Sequence, residues 1–259
     1  MRYYLILAVL IIVAFGNSLG NSFVWDDRGL IVRNQKIDLR VDELLSAFTK
    51  PIWKITGVAE DRQGYYRPAV YLFFVLNYKL WGLNPIGFHL TNIFLHLINA
   101  ILIYKIGLLL FNNNPSLTPS GKCQVWLDTG MQRGALMAAS IFAIHPVHNE
   151  PVGRVASGEV IYGFFLILCV YFFLREKRYL ALVAFFLALL SKESAVMLPF
   201  ALMILSVHKK GYKRGIIAIM PYVALIGVYL LLRLLIANAG FGGMTAQPLS
   251  ARVFTMAAA

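Results

Sequence analysis

The segment His145-Pro146-Val147-His148-Asn149-Glu150-Pro151-Val152-Gly153-Arg154, running on to Glu159, separates two apolar runs. Ala135 to Ile144 precedes it and Val160 to Leu174 follows it. Ionisable residues at the end of an apolar run are costly in lipid and by default mark a functional site. Read as a loop between two membrane helices, the segment makes this an all-α membrane protein. It also raises the question of which other polar residues reach the same face.

Composition agrees with that reading. Of 259 residues, 59% are hydrophobic and 14% charged, where a soluble domain carries roughly 25% charge. The mean hydropathy is +0.69. A net charge of +12 reads as basic loops that set membrane topology. No basic stretch is interleaved with aromatics on a soluble face, which argues against nucleic acid as a partner. Cys123 and Cys169 have no metal or redox spacing.

Working outward, the lengths of the apolar runs predict seven spans, near 4–23, 86–110, 133–146, 158–174, 178–192, 194–208 and 214–237. The run from Ala69 to Trp81 contains Asn77 and Lys79 and is too short to cross, so it reads as an interfacial or re-entrant helix. Val41 to Phe48 has apolar residues at helical spacing and reads as a short helix on the membrane surface. These two interfacial helices sit in a long first outer loop, 24–85. Residues 112–133 read as a polar loop. His89, Asn92, His96 and Asn99 fall on one helix face, a stripe expected to hydrogen-bond inside the bundle. Residues 1–239 thus form one transmembrane module, and 240–259 an outer tail.

Loop charge orients the module. The short loops at 175–178 and 208–214 hold seven Lys or Arg against one acid, so they and the N-terminus are expected on the cytoplasmic side. The long loop at 24–85 carries nine basic and seven acidic residues, and long loops translocate largely regardless of charge. Asp26, Asp27, Arg67, His145, His148, Glu150, Arg154, Lys192 and Glu193 then all arrive on the outer face, from four separate segments.

Carboxylates, cations and imidazoles at an outer membrane boundary suit a substrate that is part lipid and part anion. A lipid-linked sugar phosphate has that character, with Arg67 and Lys192 as phosphate ligands. Glycosyl transfer to a hydroxyl needs a carboxylate to take the acceptor's proton. Asp26 and Asp27, just past the first span, are the candidates for that role. His145, His148, Glu150, Arg154 and Glu193 would line the acceptor pocket. His145, His148 and Glu150, with Asp26, also have the ligand types for a divalent cation such as Mn or Mg. Arg154 and Glu159 are expected to close the second outer loop as an ion pair, and Glu193 to neutralise Lys192.

These residues resemble a known family. Phe23-Val-Trp-Asp-Asp27 resembles the acidic element of C-type membrane glycosyltransferases, which use polyprenyl- or dolichyl-phosphate sugars. Three further stretches resemble, more narrowly, the transmembrane O-mannosyltransferases that carry tetratricopeptide repeats. They are Tyr66-Arg67-Pro68 through Asn92, Phe142 through Arg154, and Leu187 through Glu193. The resemblance covers residues 23–200 and implies an integral-membrane enzyme of the plasma or endoplasmic-reticulum type. Such an enzyme moves a sugar, mannose in that subfamily, to a protein or glycan acceptor on the extracytoplasmic face. It also implies that the first outer loop supplies the catalytic acid, favouring Asp26, which aligns with the first acid of the family element, and that the second loop completes the site. Further spans and a repeat domain follow in that subfamily, so the module ending at Ala259 is read as truncated. The competing readings are a non-catalytic membrane subunit and a transporter of lipid-linked sugars. A transporter predicts charges near mid-membrane and internal repeats, and the sequence has neither.

Overall fold

A computed structural model describes residues 2–34, 41–56, 65–112 and 122–236. All secondary structure among them is helical. Helix α1 (Arg2–Phe15) continues as a 3-10 segment, Gly16–Gly20. A π-helical turn at Arg28–Val32 and two short helices, α2 (Val41–Thr49) and α3 (Ile52–Thr56), occupy the first loop. Then come α4 (Pro68–Trp81), α5 (Pro85–Asn112) and α6 (Lys122–Ile144). The second loop contains α7 (Asn149–Gly153) between two 3-10 turns. The rest is α8 (Glu159–Leu174), α9 (Arg178–Ser191), α10 (Leu198–Lys210) and α11 (Tyr212–Ile236).

The punctuation between helices is local chemistry. Pro68 opens α4, where its missing N–H is no loss. Gly82, at φ +60, ends that helix, and the Asn84 side chain accepts the Ile86 N–H (3.1 Å) to start the next.

Helix α5 is the hub and packs on α1, α4, α6 and α8. Ala135, Ala139 and Ala143 recur every four residues on α6 and are fully buried, which lets α5 and α6 approach closely. A Cβ added at Gly107 of α5 would stand 2.9 Å from the Ala135 Cβ. A second apolar core, including Phe185, Leu189, Leu202 and Tyr222, joins α8 to α11. Outward faces are apolar too: Val13 on α1 is 80% exposed and Leu235 on α11 67%. A lipid environment suits such faces.

Three helical segments are long and apolar enough to cross a membrane: Arg2–Gly20, Pro85–Phe111 and Tyr212–Ile236. This falls short of the expected seven spans. Helices α8 and α9 are apolar, but at 16 and 14 residues they reach only about 24 and 21 Å at 1.5 Å per residue, against a hydrocarbon core of about 30 Å. Helix α6 begins at Lys122, so the second half of the expected 112–133 loop is helical. The Ala69–Trp81 and Val41–Phe48 readings correspond to α4 and α2. The tail at 240–259 lies outside the described residues.

Candidate active site

The first loop leaves α1 through a tight turn. The Asp27 N–H donates to the Val24 carbonyl (2.9 Å) and the Arg28 N–H to that of Trp25 (3.2 Å). Trp25 adopts φ +47, a left-handed conformation that a bulky residue takes only where surrounding structure enforces it. The turn sends the two neighbouring carboxylates apart. Asp26 is half-buried and lines a cavity; Asp27 is fully buried.

Both Asp27 oxygens accept backbone N–H groups, one from Val24 (3.0 Å) and one from Ala156 in the second loop (2.7 Å). Burial pushes the Asp27 carboxyl above its ordinary value. The two N–H groups and the nearby Arg154 and His89 pull it back only in part. Asp27 therefore ties the two loops together.

The cavity between the loops has a volume of about 450 Å³, within the range of small-ligand sites. Asp26, Arg67, Arg154 and Glu159 are its charged walls, while Trp53 and Tyr65 add aromatic surface. Three ion pairs frame it. Arg67 contacts Glu193 (3.3 Å), Arg154 contacts Glu150 (2.9 Å), and Lys192 contacts Glu159 (2.5 Å). The Arg67 guanidinium also lies over the Tyr65 ring, 4.7 Å from its centroid. Burial alone would raise the Glu193 carboxyl. Its own backbone N–H and Arg67 outweigh that and hold it below the ordinary value.

These pairings correct two expectations. Arg154 pairs with Glu150, one helical turn away, and not with Glu159. Glu193 balances Arg67, leaving Lys192 to Glu159. The physical reason is reach: α8 and α9 lie side by side, so the residue opening α8 meets the residue just past the end of α9.

The polar stripe on α5 explains how the second loop is held. Asn92 Nδ2 donates to the Arg154 carbonyl (3.3 Å) and Asn99 Nδ2 to that of Val160 (3.1 Å). His96 Nε2 bonds the Ala143 carbonyl (3.0 Å). All three side chains are buried, as is His89, whose ring faces Asp27. With the Arg154 backbone anchored by Asn92, its guanidinium reaches the cavity wall.

His145, His148 and Glu150 are not part of that wall. His145 Nδ1 accepts the Val147 N–H (3.2 Å) and starts a helical turn. The His148 ring packs on His96 and Phe142, with centroids 4.9 and 4.6 Å away. Burial, with His96 and His145 alongside, lowers the His148 pKa to about 4. Among the described residues no three His, Cys, Asp or Glu side chains gather as metal ligands. The set Asp26, His145, His148 and Glu150 is accordingly not brought together, because past the turn at Pro146 the His148 ring packs on the α5–α6 interface while His145 stays exposed. Sequence reasoning assigned Glu159 only to a loop-closing ion pair and left out Trp53 and Tyr65. The signal for Tyr65 was its place beside Arg67; nothing local distinguishes Trp53.

The chain is similar to several protein O-mannosyl-transferases. One from Caenorhabditis elegans is 29% identical over 210 residues, 79% of this chain and 28% of the relative. Tmtc3 of Drosophila melanogaster is 34% identical over 166 residues, 61% of this chain and 17% of the relative. Human TMTC4 is 32% identical over 167 residues, 63% and 22% respectively. The chain thus spans less than a third of the length of these curated relatives. No family model matches it, and no solved structure does.

Proposed function

We propose that this chain is the membrane module of a glycosyltransferase that moves a sugar from a polyprenyl-phosphate carrier to a protein acceptor at the extracytoplasmic face. The similarity to protein O-mannosyl-transferases makes mannose the sugar of first choice. The observation that carries the reading is the 450 Å³ cavity, whose charged walls come from the first loop, the start of α4 and the second loop.

Asp26 is the proposed base, since it lines the cavity whereas Asp27 is fully buried between the loops. As the acceptor hydroxyl attacks the anomeric carbon, Asp26 takes its proton and the carbon–phosphate oxygen bond breaks. The departing phosphate carries the negative charge, which Arg67, Arg154 and Lys192 can stabilise by charge-assisted hydrogen bonds. Arg67 and Lys192 are held by Glu193 and Glu159 until an anion competes for them. The lipid tail requires the cavity to open toward the bilayer. In this reading the second half of α6 and the shorter apolar helices α8, α9 and α10 complete a seven-span module with the N-terminus inside.

The test is transfer from a polyprenyl-phosphate sugar in membranes holding the protein. Asp26→Asn is expected to lower the rate by roughly 10²–10⁴-fold, the range for loss of a positioned base. Undiminished transfer by Asp26→Asn overturns the assignment, and undiminished transfer by both Asp26→Asn and Asp27→Asn overturns the enzyme reading.

A further inference from the structure

A second cavity, of about 280 Å³, lies at the other end of the α8–α9 pair. Glu159 and Lys192 mark one end of that pair at the candidate active site, while Leu174 and Arg178 mark the other. Sixteen residues of α8 separate the two cavities by about 24 Å of helix rise, so neither site touches the other.

The walls are amphipathic. Phe173, Leu174 and Tyr222 supply apolar surface, and Arg178 and Glu176 supply charge. Ser206 of α10 also lines the cavity. It is 2% exposed, and its Oγ has no hydrogen-bond partner. A helical serine ordinarily bonds the carbonyl four residues back or reaches water, and a buried hydroxyl left unpaired is costly. Here it faces an open space instead. Arg178 is exposed. The two turns at this end, 175–178 and 208–214, hold seven Lys or Arg against Glu176 alone.

We propose that this cavity binds the phosphodiester headgroup of an anionic membrane lipid. Arg178 holds the phosphate, and Ser206 donates to the ester oxygens beneath it. The first carbons of the chains lie on Phe173, Leu174 and Tyr222. The volume suits a headgroup and its glycerol, not a whole lipid. Basic pockets between membrane helices near the interface are recurrent lipid-headgroup sites. Glu176 on the wall discriminates against a second negative charge, which favours a singly charged diester over free phosphate.

The experiment uses the detergent-purified chain with dioleoylphosphatidylglycerol, dioleoylphosphatidylcholine or inorganic phosphate, and native mass spectrometry reads what is retained. One phosphatidylglycerol per chain is expected, with phosphatidylcholine at background and no displacement by inorganic phosphate. Arg178→Gln and Ser206→Leu, the second filling the cavity, are each expected to lower retention by about fivefold. Equal retention in Arg178→Gln, or equal retention of phosphatidylcholine, overturns the proposal. Displacement by inorganic phosphate overturns the lipid in favour of a free-anion site. Because Arg178 is exposed, its replacement leaves the packing intact and decides the matter even if Ser206→Leu fails to fold.

Discussion

The Asp27 carboxylate and the Ala156 backbone N–H, 129 residues apart in sequence, meet at 2.7 Å in a buried contact. With the Val24 N–H on its second oxygen, Asp27 sets the distance between the loops that enclose the cavity. Asp26, its neighbour, is left to line that cavity. Two adjacent acids thus have different work because one peptide turn, strained at Trp25, points them in different directions.

Asp27→Asn keeps one acceptor but turns an NH₂ group toward a backbone N–H. The expected cost is about 1–3 kcal/mol, the penalty for an unsatisfied buried donor, measured by chemical unfolding in detergent. The pH dependence is also specific. The folded-state pKa of Asp27 lies above the ordinary 3.8, so the native state holds the proton more tightly than the unfolded one. Its contribution to stability therefore falls as pH rises from 3.8 through the raised value, then stays level. The difference between wild type and Asp27→Asn should follow that slope; the opposite slope contradicts it.

Glu193 behaves in the reverse sense. Its folded-state value lies below the ordinary 4.5, so the stability it contributes is present above pH 4.5 and lost as pH falls through the lowered value. Glu193→Gln should remove this acid-side loss. The Arg67–Glu193 pair is partly solvated, with side chains 20% and 36% exposed, so a double-mutant cycle should return only about 1 kcal/mol or less.

Asn92→Ala and Asn99→Ala each remove one buried bond to the second loop. Each is expected to cost about 1 kcal/mol of stability. Asn92→Ala should also lower transfer, because the Arg154 backbone loses its anchor, whereas Asn99→Ala should leave transfer closer to wild type. Equal effects on transfer would show that the Asn92–Arg154 bond does not position the guanidinium.

Gly158→Ala tests the junction of the second loop with α8. Gly158 has φ +65, and a Cβ there would stand 2.7 Å from Val70 Cγ1. The left-handed backbone alone costs an alanine about 1–2 kcal/mol, and the clash adds to it. Val70→Ala in the same chain should relieve the clash but not the backbone term, recovering part of the loss in Tm.

His148 gives an acid-side signature of its own. Its pKa falls from the ordinary 6.5 to about 4, so the native state resists protonation across that window. Stability from this site is intact above pH 6.5 and declines as pH falls toward 4. In His148→Gln the Tm between those values should be flatter than in wild type.

Several features were legible without coordinates because they depend on local pattern. The spacing of His89, Asn92, His96 and Asn99 identified a buried hydrogen-bonding face, and three of the four make the bonds expected of it. Pro68, Gly82 and Pro85 stand at the ends of α4 and the start of α5, where local backbone preference suits them. The span count was less secure. Apolar composition locates a helix, but helix length against bilayer thickness depends on where the turns fall, and α8 and α9 are cut short by the turn at 175–177.

What the sequence determined by itself is the class: apolar runs of helical length, basic short loops, and polar residues gathered at their ends. Periodicity and transfer energy act residue by residue, so they can be read in order along the chain. Tertiary structure alone decided which charges meet. Arg67 found Glu193, Lys192 found Glu159, and Asp27 was drawn inside while Asp26 lines the cavity. Pairing is a matter of distance across helices, and distances between segments 33 to 129 residues apart exist only once the helices have packed.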